Sequence, residues 1–178
     1  MLTRSITPGM DSLEVDVAER IREGRALIAA QLQRLDPFTF WTLPWNTAAD
    51  FVVVGATGAF LIAMIPALGR LDVRGGRLEL DGTTVKGVRR LRGEARQVRD
   101  TLARATVPVQ VQPVFCLTHA IVGAPRSDRG VRSLHVSDLA RDIADRPLVL
   151  PQLRAQRAAR ELGIGVGGDK RPISANEP

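Results

Sequence analysis

Apolar residues recur at helical spacing near the beginning of the chain. Asp11 or Ser12 suits a helix N-cap, and Asp36-Pro37 is a natural end for the helix that follows. The residues predicted to form its buried face are Val17, Ile21, Ala26, Leu27, Ala30, Leu32 and Leu35. After this helix, apolar and polar residues alternate from Phe38 to Leu43, which indicates a strand.

The run of 18 residues from Phe51 to Leu68 contains no charged residue and allows two interpretations. Its length suits a transmembrane helix. Gly55 and Gly58, however, lie where a tight turn would divide the run, and its halves are rich in Val, Ile and Phe, which favour strands. We therefore favour a buried β-hairpin and keep the membrane helix as the alternative.

The clearest helical pattern follows a second hairpin, which is predicted from Leu71 to Leu80 with Gly75-Gly76 as its turn. Thr84 suits the N-cap of a helix that runs from about Val85 to Ala105. Its apolar positions recur every three or four residues, at Val88, Leu91, Ala95, Val98 and Leu102. This regular spacing predicts a helix that packs one face against a sheet.

The last third of the chain shows an extended apolar segment, a polar loop, a short strand and two helices. The segments, in that order, are 109–117, 124–132, 133–136, a helix capped by Ser137 and a helix opened by Pro151 and ended by Gly163. The order of elements predicts one α/β (α+β) domain over residues 12–162. Residues 1–11 are predicted to be a flexible arm, and the glycine-rich residues 163–178 a flexible tail.

Composition points towards anionic partners without identifying one. The net charge is +6, and 23 of the 25 basic residues are Arg, since Lys86 and Lys170 are the only lysines. Arg suits phosphate contacts, although GC-rich codon usage would raise the Arg content in the same way. Cys116 is the only cysteine, so no intrachain disulfide can form, and the first 16 residues contain no apolar signal core. We expect a cytoplasmic location.

Several short motifs resemble the NERD domain, a nuclease-related domain of the PD-(D/E)xK endonuclease-like group. The similarity is carried by the segment Asp50-Phe51-Val52-Val53-Val54-Gly55, followed by Gly58-Ala59-Phe60-Leu61-Ile62, and it extends over about residues 17–162. The resemblance implies a restriction-endonuclease-like central mixed sheet that helices flank. It also implies the chemistry of that group, in which two acidic residues hold a divalent cation and a Lys supports the nucleophile.

This chain departs from the family pattern at the positions that carry the chemistry. Only Asp50 matches, because the second acidic position falls at Ala63 and the Lys position at Ile65. The family's Gly-Glu pair on the first helix matches Gly24-Arg25, although a shifted register would bring Glu23 forward instead. We therefore expect no confident catalytic residue, no metal site and no cofactor. Asp50 is interpreted as the cap of a turn, with a residual ligand role as the alternative.

The strongest positive signal is the basic helix. The site residues predicted to bind nucleic acid are Arg89, Arg92, Arg96 and Arg99, which recur at three- and four-residue spacing beside the apolar seam. We predict a catalytically degenerate nuclease-like domain, a pseudoenzyme that binds DNA, RNA or a nucleic-acid-processing partner. Alternatives are an ordinary solvated face, pairing with acids on a partner protein or in the segment 138–145, a scaffold protein, and a membrane-associated protein that uses residues 51–68. The oligomeric state stays open.

Overall fold

The computed structural model describes residues 10–45 and 47–163 of the chain. Their helices are α1 (Met10–Leu32), α2 (Val88–Arg104), α3 (Leu139–Ala144) and α4 (Gln152–Glu161), with a 3₁₀ turn at Val136–Asp138. Their strands are β1 (Phe40–Pro44), β2 (Phe51–Gly55), β3 (Gly58–Arg74), β4 (Arg77–Leu80), β5 (Thr83–Thr84), β6 (Val111–Ile121), β7 (Arg126–Asp128) and β8 (Val131–His135).

The strands form one mixed sheet in the order β1-β2-β3-β6-β8-β7. Strands β1, β2 and β3 pair antiparallel, β3, β6 and β8 pair parallel, and β7 closes one edge antiparallel to β8. The far end of β3 pairs with β4, which pairs with β5. This arrangement confirms the predicted α+β fold class, with a mixed sheet that helices flank.

The uncharged run forms two paired strands, as the favoured interpretation predicted. Phe51 lies opposite Ile62 and Gly55 opposite Gly58, where Gly58 adopts a φ of +123°. All five residues of β2 are buried, because helices cover both faces of the sheet at this point. The alternative, a single transmembrane helix, is therefore wrong. None of the described helices combines the length and the apolar character needed to cross a membrane.

Two hydrophobic cores lie on opposite faces of the sheet. On one face, α1 and α3 contribute Ile28, Leu32, Leu139 and Ile143 to a cluster with the sheet. On the other face, the seam of α2 packs together with small residues of α4, and its buried members are Leu91, Ala95, Val98 and Leu102. The predicted seam is confirmed, with Val88 at its half-buried start.

The predicted face of α1 is wrong in part. Val17 and Leu27 are 44% and 38% exposed, and Ala26 and Ala30 are also exposed. The buried stripe instead follows Gly24, Ile28, Leu32 and Leu35. Apolar residues surround most of this helix, so the pattern contains two possible stripes, and contact with the sheet selects the one that includes a glycine. The helix also begins before Asp11 and Ser12, at Met10, so neither residue is its N-cap.

Three further boundaries differ from the predictions. Thr84 lies in β5 rather than at a cap, and α2 begins at Val88 after Gly87, whose φ of +91° is left-handed. The predicted polar loop contains β7, because residues 126–128 pair with β8. Ser137 lies in the 3₁₀ turn that precedes α3, and its backbone N–H donates to His135 Nδ1. Pro151 and Gly163 border α4 as predicted, whereas most of the predicted arm and tail lies outside the described residues.

Candidate functional site

Asp50, the one residue that matches the nuclease motif, lies immediately before β2. Its backbone N–H donates to the Ile62 carbonyl at 2.8 Å, and its carbonyl accepts from the Trp45 N–H at 2.7 Å. Of its carboxylate oxygens, Oδ2 accepts from the Met64 N–H at 2.8 Å and Oδ1 accepts from Arg25 Nε at 2.9 Å. The side chain is only 15% exposed. Both oxygens are therefore engaged in tying the start of β2 to β3 and α1.

Arg25 brings a positive charge to the position at which the nuclease pattern predicted from the sequence has an acid on its first helix. The sequence comparison placed Gly24-Arg25 at the family's Gly-Glu pair, and the structure brings Arg25 to Asp50 across 25 residues of sequence. A guanidinium 2.9 Å from Asp50 satisfies the charge that a metal would otherwise balance. It would also repel a divalent cation that approached the same carboxylate. The pair therefore has the geometry of a structural ion pair.

Ala63 and Ile65 lie on the face of the sheet that α2 covers. Ala63 is buried in the core of α2 and α4, and Ile65 packs against that core. Their neighbours Ile62 and Met64 face the opposite core, to which α1 contributes. At residues 62–65, both faces of β3 thus present apolar side chains. Neither offers a carboxylate or an ammonium group for phosphodiester cleavage.

The shifted-register candidate, Glu23, turns towards His119, and Glu23 Oε2 lies 4.0 Å from His119 Nε2. Among the side chains that the structure describes, in residues 16–45 and 47–163, no group of three or more His, Cys, Asp or Glu residues could hold a metal ion. Cys116 is buried nearby. Burial, and secondarily the negative charge of Asp50, raises the pKa of the Cys116 thiol far above its usual range. The thiol therefore stays protonated and is a poor nucleophile or ligand.

The four predicted arginines flank the buried seam of α2. Arg89, Arg96 and Arg99 are exposed and Arg92 is half-buried. Arg99 donates to Asp100 Oδ1 from both Nε and Nη2, at 3.0 and 2.8 Å. Within the described part of the chain, the other three have no ion-pair partner, and the first turn of α2 contains no acidic residue. We call these four residues the arginine row.

Glu94, one of the two acids on α2, does not neutralise the arginine row. Its carboxylate accepts from Trp45 Nε1 at 2.5 Å and from the Ala48 N–H at 2.8 Å. The contact fastens the loop before β2 to α2, on the flank opposite the row, because residues 94 and 96 lie about 200° apart around a helix. Trp45 is half-buried in this contact, so it serves the core rather than an exposed stacking surface.

A cleft of about 250 Å³ adjoins the first arginine of the row. Arg77 on β4, Arg89 on α2 and Arg129 in the turn between β7 and β8 all line it, and all three are exposed. Thr84 and the buried Asp128 complete its polar lining. Sequence reasoning missed Arg77 and Arg129, which are more than 50 residues apart and follow no shared pattern. Their local signal is a neighbouring turn glycine, since Arg77 follows Gly76 and Arg129 precedes Gly130.

Three arginines on and beside α3 are closely paired with acids. Arg132 and Arg146 both donate to Asp142, the latter at 2.9 Å, and Arg141 pairs with Asp138 at 2.5 Å. The predicted alternative, in which the segment 138–145 neutralises the arginine row, therefore does not apply to Asp138 or Asp142. These two acids serve their own arginines on and beside α3.

This chain matches no protein-family model, no curated protein and no solved structure. The geometry alone therefore carries the functional argument. One part of the site is a carboxylate closed by a guanidinium, and the other is a row of arginines open to solvent. The first is poorly suited to recruit a metal, whereas the second is suited to bind an anionic polymer.

Proposed function

We propose that this chain is a nuclease-like domain without nuclease chemistry, which binds nucleic acid through the arginine row of α2. The observation that carries the proposal is that Arg89, Arg92 and Arg96 project from one flank of a helix with no acidic partner among the described residues. A row of like charges without acidic partners creates a local positive field. The lone Cys116, which leaves no disulfide to form, fits the cytoplasmic location that belongs to the same proposal.

The dimensions of the row fit a phosphate backbone. From Arg89 to Arg99 the helix rises by about 15 Å, at about 1.5 Å per residue. One strand of a DNA duplex carries a phosphate about every 3.4 Å along the axis, so a row of this length can reach several phosphates. Arg also forms paired hydrogen bonds with phosphate oxygens. Contacts of this type position a protein on nucleic acid without reading its sequence.

The absence of cleavage is the second part of the proposal. It is supported by the Asp50–Arg25 ion pair and by the apolar residues that β3 presents in both registers. Addition of magnesium or manganese is expected to produce no cleavage of DNA or RNA. Reproducible metal-dependent cleavage that Asp50→Ala abolishes would contradict this part and leave the binding part to its own test.

Binding is tested by fluorescence anisotropy with short duplex DNA, duplex RNA and single strands at several salt concentrations. If all four arginines meet phosphates, the logarithm of the duplex DNA affinity should fall against the logarithm of salt with a slope of about −3 to −4. The variant with Arg89, Arg92, Arg96 and Arg99 all changed to Gln should flatten that slope. Its melting temperature should stay close to that of the wild type, because these residues border the apolar seam without forming it.

The matched control changes four other exposed arginines to Gln, namely Arg22, Arg154, Arg157 and Arg160. It removes the same total charge from α1 and α4 and is expected to retain most of the affinity and the slope. Equal losses in both variants would show that overall charge, not the row, drives binding. If the wild type binds none of the probes at low salt, the proposal fails in favour of a protein scaffold whose arginines meet an acidic partner.

A further inference from the structure

The cleft beside the arginine row differs from the row in shape and in charge. The row is an open flank of one helix, whereas the cleft is a concave site of about 250 Å³ that three separate parts of the fold enclose. Arg77, Arg89 and Arg129 supply three positive charges, and Asp128 supplies one negative charge. The net charge of the lining is therefore about +2, which matches a dianion better than the single charge of a phosphodiester.

The beginning of α2 adds further donors to the cleft. Gly87, Val88 and Arg89 all line it, and no side chain caps this end of the 17-residue helix. The first residue of α2 whose N–H is satisfied by the preceding turn is Leu91, which donates to the Gly87 carbonyl at 2.9 Å. The first N–H groups of a helix have no intrahelical partner, and together with the positive end of the helix dipole they favour an anion at this position. They reinforce the three arginines, which belong to different elements.

Asp128 connects two of the strands that border the cleft and does not neutralise the cleft's arginines. It is 5% exposed, and its Oδ2 accepts from the Leu78 N–H at 3.4 Å, which joins β7 to β4. Its Oδ1 lies 3.7 Å from Arg129 Nε and makes no hydrogen bond among the described residues. Arg129 is 58% exposed at the side chain, so this long contact leaves most of its guanidinium donors available.

We propose that this cleft binds the terminal phosphate monoester of a nucleic acid strand whose backbone lies along the arginine row. The inference rests on the proposed function, because Arg89 belongs to both surfaces and continuity between them is what would bring a strand end into the cleft. A terminal monoester carries close to two negative charges at neutral pH, whereas each internal phosphodiester carries one. The charge of the cleft therefore distinguishes a strand end from the strand interior.

The test compares short duplexes that end in hydroxyls, 5′-phosphates or 3′-phosphates, in the same anisotropy assay at low salt. The wild type should bind one of the phosphorylated duplexes about tenfold more tightly than the hydroxyl form, the ratio expected for one charge-assisted contact. The double variant Arg77→Gln with Arg129→Gln leaves the arginine row intact. It should bind all three duplexes equally and keep the salt slope of the wild type.

The matched control is Arg157→Gln with Arg160→Gln, which removes two charges from exposed positions on α4 and should retain the preference. A wild type that binds the three duplexes equally but with the expected salt slope overturns the cleft proposal and leaves the proposed function standing. Loss of the preference in the α4 control as well as in the cleft variant also overturns it.

Inorganic phosphate, titrated against chloride at constant ionic strength, separates failure of the cleft from failure of the proposed function. Binding to the folded state raises the melting temperature, and the rise should disappear in the cleft variant and persist in the α4 control. If phosphate raises the melting temperature in this pattern but no duplex binds, the proposal that a nucleic acid strand occupies the cleft is overturned. If phosphate has no effect and the duplexes show no preference, the phosphate site itself is overturned.

Discussion

Two half-buried acids in this protein are each held by arginines from other elements or loops. Asp50 is held by Arg25 of α1, and Asp142 of α3 is held by Arg132 of β8 and by Arg146. Burial by itself would raise the pKa of Asp142. Hydrogen bonds from both arginines, together with their charges, outweigh burial and lower the pKa below its ordinary value of 3.8. The ionised form of Asp142 is thus part of the folded state.

The pKa of Asp142 predicts how stability changes in acid. Because the pKa is lower in the folded state, the stabilisation is fully present above the ordinary value of 3.8 and is lost as the pH falls through the folded pKa. Asp142→Asn should lower the free energy of unfolding by about 2 kcal/mol at neutral pH, the scale of hydrogen bonds to charged groups. In urea titrations, the difference in the free energy of unfolding between this variant and the wild type should become smaller in strong acid.

Asp145→Asn provides the control for that titration, because Asp145 is an exposed acid close to Asp142 in sequence. It should change stability by less than about 0.5 kcal/mol. A gap between Asp142→Asn and the wild type that stays constant down to the lowest pH would show that the ion pairs do not set the acid response.

At the level of elements, two helix glycines have opposite roles. Gly24 of α1 is buried against the sheet, and an added Cβ would lie 2.4 Å from Met64 Sδ and 2.9 Å from Thr118 Oγ1. This close approach is what selects the buried stripe of α1. Gly93 of α2 is exposed, and nothing lies within 4 Å of an added Cβ. The first glycine serves docking, whereas the second only weakens its helix.

Alanine substitutions at these two glycines should therefore change stability in opposite directions. Gly93→Ala should raise the free energy of unfolding by up to about 1 kcal/mol, the difference in helix propensity. Gly24→Ala should lower it by about 1 to 3 kcal/mol, because overpacking against the branched, buried Thr118 outweighs the same gain. Urea denaturation measures both, and stabilisation by both substitutions would refute the tight docking of α1.

At the level of the whole molecule, one sheet joins two hydrophobic cores. Strand β2 alone contributes Val52 and Val54 to the core of α2 and α4, and Phe51 and Val53 to the core of α1 and α3. Because the same strands form part of both cores, exposure of one core to solvent would also disrupt the strands that pack in the other. A domain built in this way is expected to unfold as a single unit.

Two probes can test whether unfolding is cooperative. Trp41 and Trp45 pack against the core of α2 and α4, so their fluorescence reports one face, whereas far-ultraviolet circular dichroism reports the whole domain. Ile28→Ala on the opposite face should cost about 2 to 5 kcal/mol, as should Leu91→Ala on the tryptophan face. Both variants should shift the two signals together. If Ile28→Ala left the midpoint of the fluorescence transition unchanged, the two faces would unfold separately.

Local sequence determined the features that depend on near neighbours. Hairpin turns at glycines, the seam of α2 and the placement of the arginine row beside that seam follow from spacing over a few residues. The lack of an acid at residue 63 and of a Lys at residue 65 was also readable, because apolar residues occupy these positions and those next to them. The resemblance to a nuclease domain remains a prediction of the sequence, as does nucleic acid binding.

Tertiary structure alone decided the features that depend on distant contacts. It selected the stripe of α1 that is buried, paired Arg25 with Asp50, and turned a predicted polar loop into β7 with its buried Asp128. It also brought Arg77 and Arg129 to the first arginine of the row. The physical reason is that periodicity records only which faces could be buried. Which face is buried, and which charges meet, depends on packing between segments that are remote in the chain.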